Sequence, residues 1–158
     1  EEDKIPMAKA LMDQALEAGV NLMLPVDLVI ADDFSNDANR KVVAADGILD
    51  NWESLDIGPE TIKLFSGAIT QAKMVLWNGP MGVFEMPNFA VGTQSIAQAL
   101  VTATEQGATT IVGGGDSASA IKQAGLSDQV SHVSTGGGAS LEYLEGKELP
   151  GLSHLTDK

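Results

Sequence analysis

The pattern that most restricts the fold of this chain is a helix-length amphipathic segment, a turn and a short apolar run, recurring from residue 59 onward. Pro59 suits a first helical position and Glu60 complements the helix dipole. Ile62, Phe65, Ile69 and Ala72 then share one stripe that runs into Met74, Val75, Leu76 and Trp77, which read as a buried strand. A helix over residues 93–105 carries Ile96, Ala97, Leu100 and Val101, stops at Gly107 and yields to a strand at 110–112. A helix over 117–124 stopped by Gly125, a strand at 131–134 and a helix over 139–145 stopped by Gly146 complete the series. Strands alternating with helices across short links pair in parallel, so an open α/β sheet is expected.

The first third is less regular. Ile5, Ala8, Met12 and Ala15, with Leu11 and Leu16 beside them, predict an amphipathic helix over 4–18, capped by Asp3 and stopped at Gly19. Two apolar runs, 21–24 and 28–31, are separated by Pro25 and Asp27 and read as strands. Residues 35–58 are polar and turn-rich, an excursion with room for one short strand.

Composition narrows the class. With 158 residues, 44% of them hydrophobic, the chain can build the core of one domain or a large piece of one. It contains no Cys, which excludes disulfides and thiolate chemistry and fits a reducing, cytoplasmic setting. Against 22 acidic residues stand 9 basic ones, scattered along the chain, for a net charge of -13. That balance argues against nucleic-acid or anionic-membrane partners, which need a basic face. No apolar run approaches the roughly 20 residues that span a bilayer, so a soluble protein is expected. The chain opens on Glu1, almost against the first helix signal, and is expected to be a piece of a longer protein.

In open parallel sheets, ligands bind beyond the carboxyl ends of the strands. Here those positions are Asp32 to Phe34, Asn78 to Pro80, Gly113 to Ser117 and Thr135 to Ser140. Gly113, Gly114 and Gly115, followed by Asp116 and Ser117, leave a strand and open a helix. Backbone without side chains can approach an anion there while first-turn N–H groups point at it. Gly136, Gly137 and Gly138 repeat the device before Ala139 and Ser140. Two such turns suit successive phosphates, or one phosphate in transit; each alone also serves as a plain tight turn. Asp116 is a candidate for Mg²⁺ or for a helix cap. Glu85 is a candidate for ribose hydroxyls, and Phe34 and Leu55 for the walls of a base pocket or for core. Trp52 and Trp77 are assigned to packing, and neither His132 nor His154 has the spacing of a metal pair.

There is no G-x-x-x-x-G-K-[ST], so the site is not a P-loop. Gly113 to Ala118 satisfies a loose dinucleotide fingerprint, but the acidic residue expected about 20 positions later is missing. A nicotinamide-dependent dehydrogenase lobe is therefore the lesser reading, beside a non-catalytic nucleotide-binding module. Phosphoryl transfer needs cations around the moving group, yet neither glycine turn contains Lys or Arg. Lys122 stands a turn too far along its helix.

The strings Leu24-Pro25-Val26-Asp27, Asp56-Ile57-Gly58-Pro59, Trp77-Asn78-Gly79-Pro80-Met81-Gly82-Val83-Phe84-Glu85, Gly113 to Ser117 and Ser134 to Ser140 occur in order. Together they closely resemble phosphoglycerate kinase, over essentially the whole chain. The resemblance implies a Rossmann-like three-layer fold with helices on both faces. Specifically, it implies the later part of the C-terminal, nucleotide-binding lobe of a two-lobed, monomeric enzyme. It also implies reversible phosphoryl transfer from 1,3-bisphosphoglycerate to ADP, giving 3-phosphoglycerate and ATP in glycolysis, with Mg²⁺. By motif match, Asp116 would bind magnesium, and Gly113, Gly114, Gly115 and Ser117 the nucleotide phosphates. Asn78 would lie against the nucleotide, Glu85 would take the ribose, and Phe34, Ser54 and Leu55 would border adenine. Gly114, Gly137 and Gly138 would serve the transferring phosphoryl group. Ser54 stands where many members have Gly, and Ser117 where many have Thr. The acid-binding lobe and the first strands of the nucleotide lobe would precede Glu1, leaving this chain inactive alone.

Overall fold

The computed structural model describes residues 2–134 and 136–153, so Thr135 of the second glycine turn and His154 lie outside the described residues. Helix α1 (Ile5–Glu17) forms where the periodicity places it and ends before Gly19, whose φ of +67° is the left-handed stop. Its start differs from expectation. Asp3 belongs to a 3-10 turn and pairs with the Lys4 ammonium at 2.9 Å, and Lys4 occupies the cap position without a side-chain bond. No residue of α1 is buried, and Leu16 is 80% exposed.

The two apolar runs that follow part company. Residues 21–24 form no strand, whereas β1 (Asp27–Ala31) does. A strand exists only where a partner completes its ladder. β1 is the centre of an antiparallel sheet ordered β2-β1-β3, with β2 at Arg40–Ala44 and β3 at Glu53–Ile57. The supposed excursion thus contains two strands. β2 escapes a periodicity test because it is an outer strand on which only Val43 is half-buried. Its Lys41 ammonium lies 4.6 Å from the Trp52 ring centroid, a cation–π contact.

The second sheet is the expected parallel one, ordered β4-β5-β6 from Met74–Trp77, Thr109–Gly113 and His132–Ser134. β4 is less buried than its composition predicts, with Met74 68% exposed, because it is an edge of the sheet. Helices α2 (Pro59–Gln71), α3 (Val91–Glu105), α4 (Gly115–Gln123) and α5 (Gly137–Leu144) alternate with these strands, and α6 (Pro150–Ser153) follows. α3 packs on α2, α4, β3 and β5 and is the axis of the core. Ile96, Leu100 and Val101 on α3 join Trp77, Val112 and Ile121 in the main cluster. A smaller cluster of Ala31, Leu55 and Phe89 lies by the antiparallel sheet. The molecule is therefore α/β, a partial Rossmann-like domain carrying an added antiparallel sheet.

Two buried carboxylates tie the layers together. Asp27, at the start of β1, accepts the N–H groups of Glu60 (3.0 Å) and Thr61 (2.7 Å) and the Thr61 hydroxyl (2.6 Å). It caps α2 from a different element, satisfying donors that a helix start leaves free. Asp56, on β3, does the same for α3 by accepting the Gly92 N–H at 2.8 Å.

Candidate active site

The register of the parallel sheet puts its strand ends in line. Trp77 pairs with Val112, and Gly113 with Ser134, so Asn78, the first glycine turn and the approach to the second follow three neighbouring strands on one edge. α4 and α5 both begin at this edge, so two sets of unpaired first-turn N–H groups open onto it.

At the first turn, Gly114 has φ +92°, a left-handed conformation that side chains rarely adopt. A Cβ on Gly114 would also lie 2.9 Å from the Asn78 side-chain oxygen, so only glycine lets the loop and the turn approach this closely. Gly115 begins α4, with nothing within 4 Å of its would-be Cβ. Asp116 is exposed in the first turn of α4; the cap position belongs to Gly114, so Asp116 is not the helix cap. Ser117 is 1% exposed, and its hydroxyl oxygen accepts the Gly79 N–H at 2.6 Å. That bond spans from α4 to the loop after β4, a duty the sequence reading did not assign. At the second turn, Gly137 and Gly138 open α5, and Gly136 precedes them at the cap position.

The remaining candidates gather at the antiparallel sheet. Ser54 is exposed on β3, while the Leu55 side chain is 3% exposed within the smaller core cluster. The Leu55 carbonyl accepts the Val83 N–H at 2.8 Å, which brings the segment bearing exposed Glu85 against the middle of β3. Phe34 is 58% exposed on the turn after β1. Asn36 in that turn holds Asn88 through two hydrogen bonds, of 2.7 and 3.1 Å. The loop from Asn78 to Glu85 thus bridges both groups of candidates.

Asp56 and Thr93 hold the backbone beside these candidates, a duty that motif spacing does not mark: Asp56 accepts the Gly92 N–H, and the Thr93 hydroxyl accepts those of Met81 and Gly82. Each reaches backbone of another element, so no periodicity within one segment marks them. Burial pushes the Asp56 carboxyl up from its ordinary value, against the N–H bonds it receives from Gly92, Ile57 and Val91. For Asp27 burial acts in the same sense, but the bonds from Thr61 and Glu60 outweigh it and hold that carboxyl below its ordinary value.

No group of three or more His, Cys, Asp or Glu able to hold a metal occurs among the described residues, and Asp116 stands as a single exposed carboxylate. Nor is any described helix long and apolar enough to cross a membrane. An apolar cavity of about 290 Å³, lined by Phe65, Ile69, Val75, Trp77 and Leu100 among others, lies away from the glycine turns. The Trp77 indole N–H is buried without a partner among the described residues.

The family model described as phosphoglycerate kinase matches residues 1–147. The chain is 58% identical over 157 residues to a phosphoglycerate kinase of Chloroherpeton thalassium, covering 99% of this chain and 40% of that protein. It is 55% identical to the cytosolic phosphoglycerate kinase 3 of Arabidopsis thaliana, covering 99% and 39%. Among solved structures, phosphoglycerate kinase from Coxiella burnetii superposes with a TM-score of 0.90 at 42% identity, over 97% of this chain and 39% of that one. The enzyme from Pyrococcus horikoshii gives 0.79 at 30% identity, over 96% and 36%. The chain thus spans about two fifths of the length of the curated relatives it matches. With the glycine turns aligned on one sheet edge and the match running through both of them, this chain belongs to the phosphoglycerate kinase family.

Proposed function

We propose that this chain is the later part of the nucleotide-binding lobe of a phosphoglycerate kinase, and that it binds a magnesium–nucleotide complex at the carboxyl edge of β4, β5 and β6. The observation that carries this reading is the alignment of Asn78, Gly114 and two helix N-termini on one edge, with Asp116 exposed beside them. The backbone N–H groups of Gly113, Gly114 and Gly115 receive nucleotide phosphate oxygens, and Asn78 orients the phosphates against the turn. Ser117 holds the loop through Gly79 with its hydroxyl oxygen and keeps its hydroxyl hydrogen for a phosphate. Glu85 takes the ribose, and Phe34, Ser54 and Leu55 border the base.

Magnesium is characteristically held by one or two carboxylates together with phosphate oxygens, and a single exposed carboxylate beside phosphate-facing N–H groups fits that habit. Asp116 would hold the ion, which when bound neutralises phosphate charge. The second turn, through the N–H groups of Gly137 and Gly138, is suited to the phosphoryl group as it passes between 1,3-bisphosphoglycerate and ADP. Gly114 shares that duty from the first turn. Recognition of 3-phosphoglycerate, and the cations that the glycine turns lack, belong to the rest of a monomeric cytoplasmic enzyme of glycolysis.

Calorimetric titration with Mg-ADP tests the reading. Saturable binding that weakens at least tenfold in Asp116→Ala is expected. NADH binding in place of ADP would support a dehydrogenase instead, and an unchanged affinity in Asp116→Ala would remove the metal role.

A further inference from the structure

The loop between β4 and α3 contributes no strand, yet four of its backbone N–H groups are held from outside. Gly79 donates to the Ser117 hydroxyl on α4 at 2.6 Å, and Val83 to the Leu55 carbonyl on β3 at 2.8 Å. Between them, Met81 and Gly82 both donate to the Thr93 hydroxyl on α3, at 3.0 and 3.3 Å. Thr93 is 2% exposed and Met81 and Gly82 are half-buried, so the hydroxyl is a fixed acceptor on the inner side of the loop. Gly82 is seated so closely that a Cβ there would lie 2.5 Å from the Leu55 carbonyl oxygen and from an Asp56 carboxylate oxygen. Asp56 in turn holds the start of α3, one residue before Thr93, through Gly92.

From this geometry we infer that Thr93 is a positioning residue: its hydroxyl, backed by Asp56, fixes the middle of the loop and so sets the separation of Asn78 at one end from Glu85 at the other. The inference deepens the nucleotide reading and rests on it, since those two residues are the ones proposed to face phosphate and ribose. Thr93 itself touches neither. A free loop would lose the close approach of Asn78 to Gly114, and each nucleotide would first have to order it.

The test compares Thr93→Val, which keeps the side-chain shape but removes the hydroxyl, with Thr93→Ser, which keeps the hydroxyl. Amide hydrogen exchange is read at Met81 and Gly82 without ligand, followed by titration with Mg-ADP. In Thr93→Val both amides should exchange about tenfold faster while the Val112 amide in β5 keeps its protection, and the Kd for Mg-ADP should rise about 5- to 15-fold. Thr93→Ser should restore both readings. Should Thr93→Val fail to fold, Thr93→Ala supplies the same comparison with a smaller side chain. Unchanged exchange at Met81 and Gly82 would overturn the inference, as would released amides with unaltered affinity. If the unmodified chain binds no Mg-ADP, the nucleotide reading falls, and the ligand-free exchange still decides whether Thr93 holds the loop.

Discussion

Asp27 and Asp56 show how two identical side chains, both buried and both capping a helix from a strand, acquire opposite electrostatic character. Asp27 is bonded on both oxygens, including by a hydroxyl, and its folded pKa is depressed. Its contribution to stability is present above the unfolded value, near 3.9, and is lost as pH falls through the lower folded value. Asp56 is raised by burial, so its contribution is present below the unfolded value and is lost as pH rises through the folded one. Unfolding free energies measured against pH should therefore separate the two. The gap between the unmodified chain and Asp27→Asn should shrink on acidification below about pH 4. The gap for Asp56→Asn should shrink as pH rises above that point. Parallel curves for the two variants would refute the assignment. Neither carboxylate was legible as a cap, because each serves a helix more than 30 residues away. The glycines were more legible: Gly19, Gly107, Gly125 and Gly146 all have positive φ just past helices, where periodicity placed stops.

Among the elements, α1 and α3 mark the limits of a hydrophobic pattern as a guide to burial. Both carry apolar residues at helical spacing, yet α3 is the core and α1 buries nothing. The difference is purely one of neighbours, since an apolar stripe stabilises a helix only when something covers it. Thermal or urea unfolding should show it. Leu100→Ala, at a fully buried site, should cost about 2–5 kcal/mol, whereas Leu11→Glu with Leu16→Glu should change stability by less than about 0.5 kcal/mol. A large loss from the α1 pair would mean that its face is covered in solution. The same dependence on partners explains the strands. Residues 21–24 are apolar and form none, while Arg40–Ala44, with two cations in five residues, is a strand because β1 offers it a free edge.

For the molecule as a whole, the proposed division of labour has a direct consequence. The chain covers about two fifths of its relatives, and its glycine turns carry no Lys or Arg; under the proposed reading the cations that phosphoryl transfer requires come from the rest of the enzyme. A coupled assay for ATP formation from 1,3-bisphosphoglycerate and ADP should show no turnover by the 158-residue chain, even at concentrations that saturate it with Mg-ADP. Sustained turnover would mean that this edge alone completes an active site. By itself the sequence determined the α/β succession, the ends of most helices and the two glycine turns, because each depends on local backbone preferences or on a period within one element. Tertiary structure alone decided which apolar faces are covered, which polar runs pair as strands, that Thr93 and Ser117 bond the loop between the candidate groups, and that Asp56 holds the start of α3. Those outcomes depend on contacts between residues far apart in the chain, which no spacing within a segment records.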